Sequence, residues 1–338
     1  MLGSICFTYF YFLYTHEYPP GSYERIANFD ADKVFQTRIL ITSLANFLEP
    51  TLPLLRYAFQ WLIPYPINYE VLLQGITACS LFILIIITPK LCNTMGTNIS
   101  AWWGFLSFIP LSFNYILLNG VWDGAGLYYP YDIPSITLFV GGVVLFLQRR
   151  WIWFYPCFIL ACLNRESACF ISMAAIFITL KPGFGLNRFL NLNRNLFSHL
   201  AIQVFIWGSS RIILSFIFKD NPGVFFETPH SMVDFITCIW TDQTHWAMEK
   251  PSHFLYLFGG IWLIPLLTWK YQTTSSKKLL FVGIIYLITL CFRSNMMETR
   301  VYNELNVMLT VSAIIGISAW LKILLNSKLN LVKKANFQ

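Results

Sequence analysis

Asn164, Arg165 and Glu166 stand side by side in ACLNRESACF, a stretch otherwise made of apolar and small residues. An ionised side chain at the centre of a bilayer costs about 2.5–3.5 kcal/mol on insertion scales, so a chain that keeps one there has a use for it. Other ionisable residues sit at the ends of other apolar runs. Asp30 and Asp32 lie two apart in NFDADKVFQTRIL, and Arg38 follows in the same stretch. Asp132 precedes an apolar run in LYYPYDIPS; Glu298, Arg300 and Glu304 precede the last one in RSNMMETRVYNEL. Carboxylates serve as general bases or hold hard cations, and two acids at i and i+2 of an extended loop point to one side, which suits a divalent cation. Arginines grip a phosphate through two parallel donors. Together these types can take up a proton and neutralise an anion. Each also has a plainer reading: a solvated loop for Asp30 and Asp32, a helix cap for Asp132, an i,i+4 pair for Arg300 and Glu304, and a structural ion pair for Arg165 and Glu166. His230 and His245, in a loop with Asp234 and Asp242, are a weaker metal candidate. The five histidines show no HExxH spacing, and the eight cysteines show no CxxC, so the cysteines read as small buried apolar residues.

The elements that must carry these residues are membrane helices. Of 338 residues, 56% are hydrophobic and 12% charged, where a soluble domain carries about 25% charge. Apolar runs lie at 2–15, 39–63, 69–88, 101–119, 134–148, 151–180, 196–218, 252–269, 278–294 and 304–326. Trp102, Trp103, Trp151, Trp153, Trp269 and Tyr271 mark run ends, as in interfacial belts. The net charge of +7 reads as positive-inside bias; no basic patch interleaved with aromatics suggests a nucleic-acid partner. Segments with Arg149 and Arg150, with Lys181, Arg188 and Arg194, with Lys270, Lys277 and Lys278, and with Lys322 to Lys334 are almost purely basic and are expected at the cytoplasmic side. Segments 16–38, 120–133, 219–251 and 295–304 are mixed or acidic and are expected outside, which gathers the candidate residues at one face.

Two runs break the alternation. Run 39–63 is flanked by outside-type sequence and interrupted at Glu49-Pro50, so it is expected to lie along the outer interface, as part of an outer loop 16–68. Run 151–180 has basic signals at both ends and room for two short helices, whose tip is Asn164-Arg165-Glu166. The expectation is an all-α polytopic membrane protein of about ten transmembrane helices in a single domain over 1–338, with a second large outer loop at 219–251 and both termini cytoplasmic. The first apolar stretch is short for a span and lacks a basic leader and a convincing cleavage site, so it reads as a retained first helix.

This layout resembles the GT-C class of membrane glycosyltransferases. DADKVFQTRIL, YPYDIPS, NRES and ETRVYNEL are similar to patterns in bacterial polytopic proteins of GT-C-like layout. The resemblance implies transfer of a sugar from a polyprenyl-phosphate donor at the outer face of a bacterial inner membrane. It implies that Asp30 or Asp32 is the base or holds a divalent cation. Arg165 and Arg300 would hold the carrier phosphate, and Arg38, Asp132, Asn164, Glu166 and Glu298 would complete substrate binding. Membrane lipid is the other implied partner. A transporter or flippase of a lipid-linked saccharide needs the same arginines without a base. A membrane scaffold subunit needs the charges only as clasps.

Overall fold

The computed structural model describes residues 1–54, 69–122, 126–181, 186–223, 256–293 and 299–335. The described chain is mostly helical. After α1 (Leu2–Tyr14) come the short helices α2 (Tyr23–Ala27), α3 (Lys33–Gln36) and α4 (Leu40–Leu48), then α5 (Tyr69–Thr94). A mixed segment follows: a 3-10 helix at Ala101–Ser107, one α turn, α6 (Phe108–Leu111), and a π-helical stretch at Ser112–Trp122. The remainder is α7 (Asp132–Leu147), α8 (Trp151–Asn164), α9 (Cys169–Thr179), α10 (Leu186–Ile217), α11 (Leu263–Leu267), α12 (Thr274–Arg293) and α13 (Asn303–Ala335).

The expected count of about ten spans is not reached by length. Five helices among the described residues are long and apolar enough to cross a membrane: Tyr69–Thr94, Ala101–Leu118, Asn191–Ile217, Thr274–Phe292 and Arg300–Ser327. Leu2–Tyr14, Asp132–Leu147, Trp151–Asn164, Glu166–Thr179 and Leu257–Leu267 are apolar but shorter. A hydrocarbon core of about 30 Å takes about 20 residues at 1.5 Å each, so these fall short as straight crossings. Of run 39–63, α4 buries Ile41, Thr42 and Ala45 and exposes Leu44 and Phe47, while residues 55–68 lie outside the described residues.

The centre of the molecule is α7. Nearly every residue from Asp132 to Phe146 is buried, and α5, α8, α9 and α13 all pack on it. DIPSITLFVGGVVLFL suits the place: apolar on all sides, with Pro134 in the first turn, where its missing N–H costs nothing. A Cβ at Gly142 would stand 2.8 Å from Ile171, so glycine sets the close approach of α7 and α9. One buried core runs from Phe7 to Ile315. A two-residue parallel bridge pairs His16 with Leu127 and Glu17 with Tyr128, tying the exit of α1 to the chain that enters α7.

Candidate functional site

Run 151–180 breaks at Arg165. α8 ends at Asn164, Arg165 is extended (φ −158°, ψ 148°), and a 3-10 turn at Glu166–Ala168 leads into α9. In an extended residue successive side chains point to opposite sides, and here they take different partners. Arg165 Nη1 meets Asp132 Oδ1 at 3.2 Å, with both side chains almost fully buried. Glu166 turns to Arg38: Nη2 meets Oε1 at 2.6 Å and Nε donates to Oε2 at 3.2 Å, a two-point fork. Asn164 Nδ2 donates to the Tyr131 carbonyl at 2.9 Å and so fixes the break against the start of α7.

Aromatic residues wall this cluster. Arg38 Nη1 donates to the Tyr131 hydroxyl at 2.8 Å, and its guanidinium lies 4.9 Å from the Tyr131 ring centroid. Arg300, also buried, lies 3.6 Å from the Tyr129 ring centroid, and Phe35 of α3 stacks on that ring at 5.6 Å. Glu304 accepts from the Tyr286 hydroxyl at 2.6 Å and from Ser167. Burial pulls the Arg38 pKa down, but Glu166 and then Tyr131 more than reverse that, so it is held above its usual value. Burial pushes the Tyr131 phenol up to about 12, against the pull of Arg38 and Arg300. On the approach, burial raises the Glu17 carboxyl although Tyr128 donates to it at 2.8 Å.

Arg38, Asp132, Asn164, Arg165, Glu166 and Arg300, singled out in the sequence, therefore belong to one assembly, buried except at the half-buried Glu166, and Asp132 is within electrostatic reach of Arg165, Arg300, Arg38 and Glu304. Asp132 Oδ2 and Asn164 Oδ1 have no hydrogen-bond partner among the described residues. Asp30 and Asp32 stay on the segment between α2 and α3, with Arg25 at 3.8 and 3.9 Å from their respective carboxylates. Among the described residues no group of three or more His, Cys, Asp or Glu is placed to hold a metal ion. Glu298, the candidate histidines His230 and His245, and most of segment 219–251 lie outside the described residues.

Sequence reasoning left Tyr129, Tyr131, Tyr286 and Ser167 out of the site, and weighed Glu304 only as one of the charges beside the last run, with no role of its own. The repeated tyrosines of LYYPYD were a usable signal, because a buried phenol wants a polar partner. Tyr286 offered none, lying amid the apolar residues of GIIYLITL.

Beside the cluster, α11, α12 and α13 enclose an apolar cavity of about 430 Å³. It runs from Tyr302 and Leu305, next to Arg300 and Glu304, to Trp269 and Lys277. Within the cluster itself the cavity bounded by Ser135, Arg165, Ser167 and Glu304 is only about 10 Å³. No protein-family model matches the chain, and no curated protein or solved structure matches it.

Proposed function

We propose that the protein is a GT-C-type membrane transferase, moving a sugar from a polyprenyl-phosphate carrier to an acceptor hydroxyl at the outer face. The observation that supports this reading is the convergence of three arginines and three carboxylates from the chain just after α3, the start of α7, the α8–α9 break, and the 3-10 turn Thr299–Tyr302 with the first turn of α13, beside an apolar cavity. Asp132 is the proton acceptor in this reading. Arg165 holds one of its oxygens, while Oδ2 lacks a partner among the described residues. Asp30 and Asp32 are the lesser candidates, since both face Arg25 on the exposed segment. The acceptor oxygen gives its proton to Asp132 and attacks the anomeric carbon. The bond from that carbon to the phosphate oxygen breaks, and the electron pair leaves with the polyprenyl phosphate. Arg165 and Arg300 offset the charge that develops there. The 430 Å³ cavity takes the isoprenoid chain. The accompanying topology has the shorter helices as tilted or partial crossings that complete about ten spans, α4 in the outer interface, both termini cytoplasmic, and a bacterial inner membrane as the location.

The test is donor consumption by the reconstituted protein. Asp132→Asn is expected to lose at least about 100-fold in turnover, the scale of a lost general base, while still binding donor. The pair Asp30→Asn and Asp32→Asn should stay within about twofold, because exposed ion pairs contribute little. Wild-type turnover by Asp132→Asn sinks the assignment.

A purely structural reading has its own support. The three positive and three negative side chains cancel formally, and the cavity among them is too small for a sugar. Under it, Arg38→Met with Glu166→Leu yields folded protein with every function intact; under the transferase reading the double variant folds but turns over slowly.

A further inference from the structure

α10 is held to the rest of the protein at two levels and stands off between them. At the lower level Trp151 stacks on His199 at 3.7 Å, and the Tyr155 hydroxyl meets His199 Nδ1 at 2.6 Å. At the upper level Trp207 Nε1 donates to the Glu166 carbonyl at 2.9 Å, and Arg211 donates to the Cys162 carbonyl. Between these levels α9 and α10 enclose a groove of about 270 Å³.

The groove is apolar except at Ser172 and Gln203 (Cys169 adds a thiol). Both are at least nine-tenths buried, at 5% and 0% exposure. Gln203 gives its amide nitrogen to the His199 carbonyl at 3.0 Å, which leaves Oε1 without a partner among the described residues; Ser172 Oγ has none either. Gln203 lies near the middle of the candidate span Asn191–Ile217. Water is scarce at that depth, and an unmet buried polar atom is costly. Val204 of the lining is itself exposed, and so are the apolar Ile202, Phe205, Ile212, Ile213 and Phe216 on the other side of α10, so the groove opens onto an apolar helix surface suited to lipid.

We propose that this groove binds a lipid alcohol, whose hydroxyl donates to Gln203 Oε1 and accepts from Ser172 Oγ. The chemistry selects that group. Oε1 only accepts, so an ionised phosphate or carboxylate offers it nothing, and no lining residue carries a positive charge to hold an anion. An ammonium would find no carboxylate in the lining. A hydroxyl both donates and accepts, and its hydrocarbon body matches Met173, Ile176, Phe177, Leu200 and Val204. Neither Ser172 nor Gln203 belongs to the charge cluster, so the site stands whether or not the protein is a transferase.

The experiment uses the full chain in lipid nanodiscs, with a long-chain alcohol carrying a photoreactive diazirine and the methyl ether of the same compound as probes. Cross-links are mapped by mass spectrometry. In the wild type, labelling of α9 and α10 by the alcohol should exceed that by the ether by about fivefold, the worth of roughly one hydrogen bond. Gln203→Leu should bring the alcohol down towards the ether, whereas Ser172→Ala, whose hydroxyl donates to either oxygen, should lower the labelling by both probes. Val204→Trp, which fills the groove and leaves both polar atoms, should suppress both probes. Thermal stability is followed alongside, and Ser172→Ala gives the reading if Gln203→Leu does not fold. Equal labelling by both probes in the wild type, undiminished preference for the alcohol in a folded Gln203→Leu variant, or undiminished labelling by both probes in a folded Ser172→Ala variant overturns the proposal.

Discussion

Arg38 and Glu166 are unequally buried, with side-chain exposures of 7% and 37%. Removing the carboxylate therefore strands the more deeply buried partner. Glu166→Gln is expected to cost on the order of 3 kcal/mol, because a buried charge that loses its partner keeps its full desolvation penalty. Replacing both by Met and Leu should recover most of that loss. Thermal unfolding in detergent checks it; a loss below about 0.5 kcal/mol, the range of an exposed pair, would mean that Tyr131 and its ring hold Arg38 unaided. At this scale the sequence announced the members better than the pairing. Asn-Arg-Glu is conspicuous in an apolar run, and Arg38, Asp132 and Arg300 are conspicuous at run ends. Adjacent Arg165 and Glu166 look like partners for each other. They are not, because Arg165 is extended and sends consecutive side chains to opposite sides. Composition carries no trace of that one dihedral choice.

Apolar runs are a good guide to where helices lie and a poor guide to what each does. The break inside 151–180 falls at the polar triplet, where α8 ends at Asn164 and Arg165 is extended. Run 101–119 reads as a plain span but contains a 3-10 helix, an α turn and a π-helical stretch. Pro110 lacks an N–H and clashes with the preceding turn, which favours a change of hydrogen-bond pattern there, but it does not say which pattern follows. Packing between elements is equally hidden. Gly142 looks interchangeable with Gly141 in the sequence, yet a Cβ on Gly142 meets Ile171 at 2.8 Å and one on Gly141 meets nothing closer than 3.9 Å. Gly142→Ala is expected to cost about 1–3 kcal/mol through overpacking between α7 and α9, and Gly141→Ala much less. Unfolding midpoints of the two variants, measured side by side, check this. Similar losses would mean that α7 and α9 adjust freely.

Across the whole molecule, polar contacts join segments that are far apart in the chain. Asp132 and Arg165 are 33 residues apart, Arg38 and Glu166 are 128, and Ser167 and Glu304 are 137. Positive-inside bias and apolar patterning speak to the side and length of each segment, and neither specifies which distant segments meet. The separation of Arg38 from Glu166 also orders events during synthesis. Arg38 leaves the ribosome first, and its acid follows 128 residues later, roughly 6–26 s at 5–20 residues per second. Through that interval a guanidinium destined for the interior has no native counter-charge. It must wait in water or at the membrane surface, with α3 undocked, and the segment around Arg38 can lock onto the bundle only after the α8–α9 break has been made. Released chains ending just before Glu166 are therefore expected to disappear faster in a pulse–chase experiment than chains ending after α9. Arg38→Leu should slow the loss of the shorter chain only. Equal lifetimes for the two truncations would show that Arg38 is sheltered before its partner exists, and that quality control never sees the half-built clasp.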